Sequence, residues 1–229
     1  MDELERIDRR YRERDADASL AGFWSLRNPA VLHAAQERER RVLQLLAAEG
    51  LGFEGRRVLD VGCGRGTEFA NLLRWGAPAG SLVGIDLMHA RLAEARTHGG
   101  VLLAQASATR LPFADAAFDA VVQNVVFSSI VDAATRRVAA AEMRRVLRPG
   151  GFVLWYDAFR TRSTDPHFRA VPRAEVGQLF PDLRWRFATL TSDIGIAARA
   201  QRLAGAGVLP WLDALRLLRT NLLGVGVFG

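Results

Sequence analysis

The sequence predicts an α/β fold on a doubly wound sheet, and three observations carry that expectation. Val58–Val61 reads as a short buried strand, apolar and β-branched apart from Asp60. It runs into a glycine turn, Gly62-Cys63-Gly64-Arg65-Gly66, followed at once by helical spacing. From there to Tyr156, strand-like apolar runs alternate with helix-length segments, the pattern of a parallel sheet with crossover helices.

The elements follow in order. Residues 2–15 are charge-dense, with Leu4, Ile7 and Tyr11 at helical spacing; they read either as a solvated arm or as a flap that closes with Tyr11. Phe23 and Trp24 precede Asn28-Pro29, which opens a long helix to Glu49 with Gly50 past its end. The two aromatics either anchor that helix on the sheet or wall a pocket. A helix from Thr67 to Trp75 ends at Gly76, and Ser81–Asp86 is the second strand. Asp86 stands twenty positions after Gly66, where a nucleotide-binding βαβ unit places its ribose-reading carboxylate, with Leu87 beside it. A helix from His89 to Thr97 and a strand from Val101 to Ala106 come next, then a strand from Ala120 whose carboxyl end carries Gln123 and Asn124. Asp132 is an N-cap for a helix to about Leu147, and Phe152–Tyr156 is the fifth strand, delivering Tyr156 and Asp157 to the ligand-binding edge. Beyond it, Pro172–Phe180 reads as a helix, Arg184–Thr191 and Leu222–Phe228 as strands, and Ile194–Leu218 as a helical insertion broken at Gly205, Gly207 and Pro210.

Composition narrows the classes. At 229 residues and 49% apolar content, one α/β core is expected, with no repeat or low-complexity linker. No apolar run of about 18 residues suggests a membrane span, and the charged start, Met1-Asp2-Glu3, lacks the apolar core of a signal peptide. The single cysteine, Cys63, fits a reducing compartment, so a cytoplasmic location is expected. All 31 basic residues are arginine and the net charge is +6, but acids interleave with them (Arg12-Glu13-Arg14-Asp15, Glu37-Arg38-Glu39-Arg40) and no basic stripe forms. Neither nucleic acid nor membrane is expected as a partner; a homodimer is left open.

The spacing of the glycine turn separates two ligand classes. A dinucleotide fingerprint needs its third glycine at position 67, where Thr67 stands. Asp60-Val61-Gly62-Cys63-Gly64-Arg65-Gly66 instead resembles motif I of class I S-adenosylmethionine-dependent methyltransferases, of the type 11-like kind. Ser107-Ala108-Thr109-Arg110-Leu111-Pro112-Phe113-Ala114-Asp115-Ala116-Ala117-Phe118-Asp119 resembles the family's Asp-Ala-x-x-Leu-Pro-Phe-x-Asp-x-x-Phe-Asp stretch, and Arg145-Val146-Leu147-Arg148-Pro149-Gly150-Gly151 its turn into strand five. The resemblance covers about residues 57–156. It implies a Rossmann-like sheet of seven strands with the last antiparallel, a single domain divided into an N-terminal helical lid (1–50), a cofactor-binding core (51–160) and an acceptor-side region (161–229). It also implies S-adenosylmethionine as cofactor, held by Asp60, Gly62, Cys63, Gly64, Asp86, Leu87, Ser107, Ala108, Gln123 and Asn124, with Tyr11 closing over it. Ser107 replaces the family's aspartate and offers only a neutral acceptor. Ser128-Ser129 stands where many relatives carry His-His, so a histidine base of that kind is absent.

Methyl transfer asks the protein mainly to align an acceptor with the sulfonium methyl, and to remove a proton where the acceptor carries one. The base candidates in the sequence are Asp157, His33 and Tyr156; no metal is expected. The expected reaction is methylation of a small molecule at oxygen, in biosynthesis. The alternatives are methylation of RNA or protein, a silent cofactor-binding module, or, disfavoured by Thr67, a nicotinamide-dependent oxidoreductase.

Overall fold

The computed structural model describes residues 2–229. Seven strands form one sheet: β1 (Val58–Val61), β2 (Leu82–Asp86), β3 (Leu102–Gln105), β4 (Phe118–Asn124), β5 (Leu147–Ala158), β6 (Leu183–Ser192) and β7 (Arg219–Phe228). Their order is β3-β2-β1-β4-β5-β7-β6. The first five are parallel, and β7 runs antiparallel to both its neighbours. Strand order reverses between β1 and β4, which opens a crevice at their carboxyl ends.

Helices alternate with the strands: α1 (Glu3–Ala16), α2 (Ala18–Phe23), α3 (Pro29–Ala48), α4 (Thr67–Arg74), α5 (His89–Ala95), α6 (Ala133–Val146), α7 (Arg173–Leu179), α8 (Ile194–Ala204) and α9 (Leu209–Ala214). Side chains on a strand alternate faces, and the core divides accordingly. Leu59, Val61, Val121, Val153 and Trp155 pack with Met143 and Val146 of α6 and Val176 of α7. Val58, Ala120, Val122, Phe152 and Leu154 face the other way, onto Val42 and Leu46 of α3 and Leu72 of α4. Each of the buried valine, leucine and methionine side chains contributes about 1.5–3 kcal/mol by leaving water.

Sequence signals account for most boundaries. Asn28 caps α3, with Pro29 in its first turn, and Asp132 caps α6 by accepting from the Thr135 N–H at 2.6 Å. One boundary differs clearly from expectation. β5 begins at Leu147 rather than Phe152, because Leu147 already pairs with Phe118 and a register shift absorbs Arg148–Gly151. The insertion after β6 resolves into α8, α9 and short 3-10 turns, with Gly205 at φ +77° ending α8.

The charged N-terminal segment is the α1 helix, and although none of its residues is fully buried it is bonded to the carboxyl edge of the sheet. Glu3 accepts from the Val131 N–H at 2.6 Å, and Arg6 donates to the Ser129 carbonyl at 2.6 Å. Arg10 pairs with Asp165 at 2.7 Å and Asp15 with Arg91 at 2.7 Å. Burial works against the Glu3 and Asp15 carboxylates, but arginine contacts hold both below the usual carboxylate range.

Candidate active site

A cavity of about 1110 Å³ lies over the carboxyl ends of β1, β2, β4 and β5, roofed by α1 and by Phe23 and Trp24. Its floor is the glycine turn. Gly62, Gly64 and Gly66 all have positive φ, and a Cβ on Gly64 would meet only Arg91 Nη1, at 3.7 Å, so its backbone lies bare to the cavity. Asp86 holds this floor: Oδ2 accepts from the Gly64 N–H at 2.9 Å and Oδ1 from the Met88 N–H at 2.8 Å. Each oxygen keeps capacity to accept from a further donor.

Three acids gather here. Asp60 and Glu68 are buried, Asp86 nearly so, and all three line the cavity. Asp60 Oδ2 has no hydrogen-bond partner among the described residues. Burial first, then the charges of Glu68 and Asp86, push the Asp60 carboxyl well above its usual range, against the opposing pull of Arg38. Glu68 is satisfied: Arg38 donates to it at 2.7 Å and the Asn124 amide at 2.9 Å. Burial disfavours the Arg38 charge, but Glu68, Tyr156 and Asp60 outweigh it and raise its pKa. The Arg38 guanidinium also lies 5.1 Å from the Tyr156 ring centre. Burial, then Asp60 and Asp86, push the Cys63 thiol up, so Cys63 is a neutral wall residue at neutral pH.

The residues singled out in the sequence fall into two groups. Asp60, Gly62, Cys63, Gly64, Asp86, Leu87, Ser107, Ala108, Asn124, Tyr11 and Tyr156 surround this one cavity. The Tyr11 hydroxyl bonds Ser129 Oγ at 2.8 Å, beneath the Arg91 guanidinium. Ser107 Oγ accepts from the Thr109 N–H at 3.1 Å. Gln123, Asp157 and His33 do not line the cavity. Gln123 is fully buried and braces the loop after β4, accepting from the Val126 N–H at 3.1 Å and donating to the Tyr156 carbonyl at 3.3 Å.

Asp157 corrects an expectation. It follows Tyr156 on one strand, so the two point to opposite faces. Asp157 is fully buried, accepting from the Ser128 N–H at 3.1 Å and the Ala158 N–H at 2.8 Å. It therefore cannot reach an acceptor as a base. Burial pushes its pKa up to about 6, against those hydrogen bonds. Between its ordinary 3.8 and about 6 the folded protein binds the extra proton, so this group's contribution to stability is present below pH 3.8 and lost as pH rises through 6. The loss amounts to about 3 kcal/mol. Urea titrations at pH 4 and pH 7 should show Asp157→Asn removing most of that difference; an identical pH dependence in parent and variant contradicts the assignment. His33 is corrected too: its Nε2 contacts Asp213 at 2.6 Å, joining α3 to α9.

Several site residues escaped the sequence reading. Glu68 and Arg38 form the buried pair beside the glycine floor; in the sequence Arg38 stood out only as one of the arginines interleaved with acids at 37–40. Val125, a β-branched residue at φ +58°, is strained in the left-handed region and held by its N–H bond to the Tyr156 carbonyl at 2.8 Å. Arg160, Arg162 and His167 also line the cavity. Among the described residues no group of three or more His, Cys, Asp or Glu is placed to hold a metal ion.

With this geometry in view, comparison with known proteins is specific. Residues 59–155 match the family described as "Methyltransferase domain". That stretch, under half of the chain, is similar to a methyltransferase domain. The cofactor this likeness implies is S-adenosylmethionine, and the residues present fit that cation: an orphaned buried carboxylate oxygen at Asp60, and a glycine floor that a side chain would fill.

A demethylmenaquinone methyltransferase of Deinococcus radiodurans is 37% identical over 139 residues, 58% of this chain and 55% of that protein. A fatty-acid O-methyltransferase of Mycolicibacterium smegmatis is 38% identical over 132 residues, 56% of this chain and 47% of that one. The chain spans about half the length of these relatives. A structure from Thermotoga maritima, described as a possible histamine N-methyltransferase, superimposes with a TM-score of 0.61, 16% identity and 99% and 98% coverage of the two chains. At that identity the likeness shows the methyltransferase fold alone.

Proposed function

We propose that this chain transfers a methyl group from S-adenosylmethionine to an oxygen of a small, lipophilic acid, a carboxylate or phenolate. The observation that carries the reading is a pair of arginines in the cavity wall. Arg160 and Arg162 line the cavity, and neither forms an ion pair with a carboxylate among the described residues. Arg160 is held in place by donating to the carbonyls of Arg219 and Arg216. Phe23, Trp24, Val31, Ile194 and Phe168 line the same cavity.

No carboxylate or imidazole there stands ready as a general base, and Tyr156 lies under the Arg38 guanidinium. Arg6 donates to His167 Nδ1 at 3.2 Å, which puts the proton of the neutral ring on Nε2 and leaves it a donor. Asp165 is paired with Arg10, and Asp193 caps α8 through the Ile196 N–H. Two guanidinium groups without a base suit an acceptor that arrives already ionised: they lower its pKa and orient its oxygen.

S-adenosylmethionine, when bound, supplies an activated methyl on a positive sulfur. Asp60 would accept from its ammonium, Asp86 from its ribose hydroxyls, and the Gly62–Gly64 backbone would lie against it. The lid, α1 with Tyr11, would exclude water. The two curated relatives act on a quinone and a fatty acid, by their names, which agrees with an apolar acceptor.

The test is a panel of fatty acids, phenols and amines with methyl-labelled S-adenosylmethionine. Label should enter acids or phenols, and Arg160→Gln should raise KM for them about tenfold or more while changing kcat less. Transfer to amines alone, or a KM that ignores Arg160, overturns the reading. Absence of any heat on titrating S-adenosylmethionine would overturn the cofactor site as well.

A further inference from the structure

We propose that the helical cap formed by α8, α9 and the turns after them docks this protein onto an anionic lipid bilayer. The cap leaves apolar side chains in water to an unusual degree. Leu203 is 90% exposed, Leu217 83%, Trp211 76% and Leu215 55%, all within fifteen residues of one another. Isolated exposed leucines need no explanation, but four large ones on one small cap do. The cap's own interior is already satisfied by Ala197, Ala198 and Leu209 packing with Ala30 of α3. The exposed set is therefore surplus to folding.

The charges select the occupant. Arg199, Arg202 and Arg216 are exposed on the same cap and form no ion pair among the described residues. Between Ile194 and Leu218 the sole acid is Asp213, which is engaged with His33. A tryptophan and leucines interleaved with arginines suit the interface of an anionic membrane, where apolar side chains enter the acyl boundary and guanidinium groups meet lipid phosphates. A second copy of the chain suits it less, because a twofold contact would set these arginines against one another. No helix among the described residues is long and apolar enough to cross a membrane, so the attachment is peripheral. The sequence reading expected no membrane partner, but the lack of a long apolar run bears on spanning, not on docking.

The cap adjoins the cavity. Phe23 packs against the Ala30–Leu209 cluster and meets Trp24 edge to face at 5.2 Å, and both rings line the cavity. A lipophilic acceptor could pass from the bilayer beneath these rings; that route rests on the acceptor reading above, whereas the docking does not.

The experiment is flotation of the whole protein with vesicles of phosphatidylcholine alone or mixed equally with phosphatidylglycerol. The parent should partition to the mixed vesicles about tenfold or more above the neutral ones, and less at raised salt. The triple variant Leu203→Ser, Trp211→Ser, Leu217→Ser should lose about tenfold, as should Arg199→Gln with Arg202→Gln, while each keeps the parental affinity for S-adenosylmethionine as proof of folding. Three results overturn the proposal: no flotation with either vesicle, variants that float like the parent, or light scattering that finds a parental dimer split by the same substitutions. Failure of the methyl-transfer reading would appear separately, in the label assay.

Discussion

Gly64→Val should abolish S-adenosylmethionine binding, with no calorimetric heat at concentrations about a hundredfold above those that saturate the parent. Two effects combine. Gly64 sits at φ +55°, where a β-branched residue is strained by about 1–3 kcal/mol. Its added side chain would also project into the cavity, since only Arg91 Nη1, at 3.7 Å, lies near the position of the new Cβ. Strain alone can be separated from occlusion with Gly150→Val. Gly150 has φ +75° and nothing within 4 Å of an added Cβ, and it does not line the cavity. That variant should lose comparable stability and bind normally. If Gly64→Val binds as the parent does, the glycine floor is not the cofactor's seat.

Arg38→Met should cost about 3–5 kcal/mol of stability in urea unfolding, the usual consequence of leaving one member of a buried ion pair behind. The side chains of Arg38 and Glu68 are only 13% and 4% exposed, so solvent screens them little. With Arg38 gone, Glu68 keeps the Asn124 amide but faces Asp60 without a compensating charge. The double variant Arg38→Met, Glu68→Leu should recover most of the loss, because it removes the stranded charge along with its partner. A single variant that loses under about 1 kcal/mol would show that the pair is screened after all. Cofactor affinity should fall in both variants, since Arg38 and Glu68 also line the cavity.

The legible part of the site was the part built from backbone. Gly62, Gly64 and Asp86 could be placed because a tight turn and a strand end impose spacing on the chain. What escaped was contributed by side chains reaching across long sequence separations. Arg38 meets Glu68 thirty residues away, and Arg160 reaches the carbonyl of Arg219, fifty-nine residues on. Local pattern gives no sign of either. Asp157 was misplaced although the rule that places it was available: adjacent residues on a strand face opposite ways, and Tyr156 already held the cavity side. The charged N-terminal segment was ambiguous for a different reason. Its capping box between Asp2 and Glu5 makes it a helix, but only contacts with Val131, Ser129 and Asp165 fix where that helix lies.

By itself, the sequence determined the strand and helix order, the glycine floor and the carboxylate across from it, because these depend on backbone freedom and on two- and 3.6-residue periods. Tertiary structure decided which of two neighbouring acids is structural, which arginine neutralises a buried glutamate, and that a helical cap leaves its leucines in water. Those outcomes turn on burial and on the distance between charges, quantities that exist only once the chain is folded.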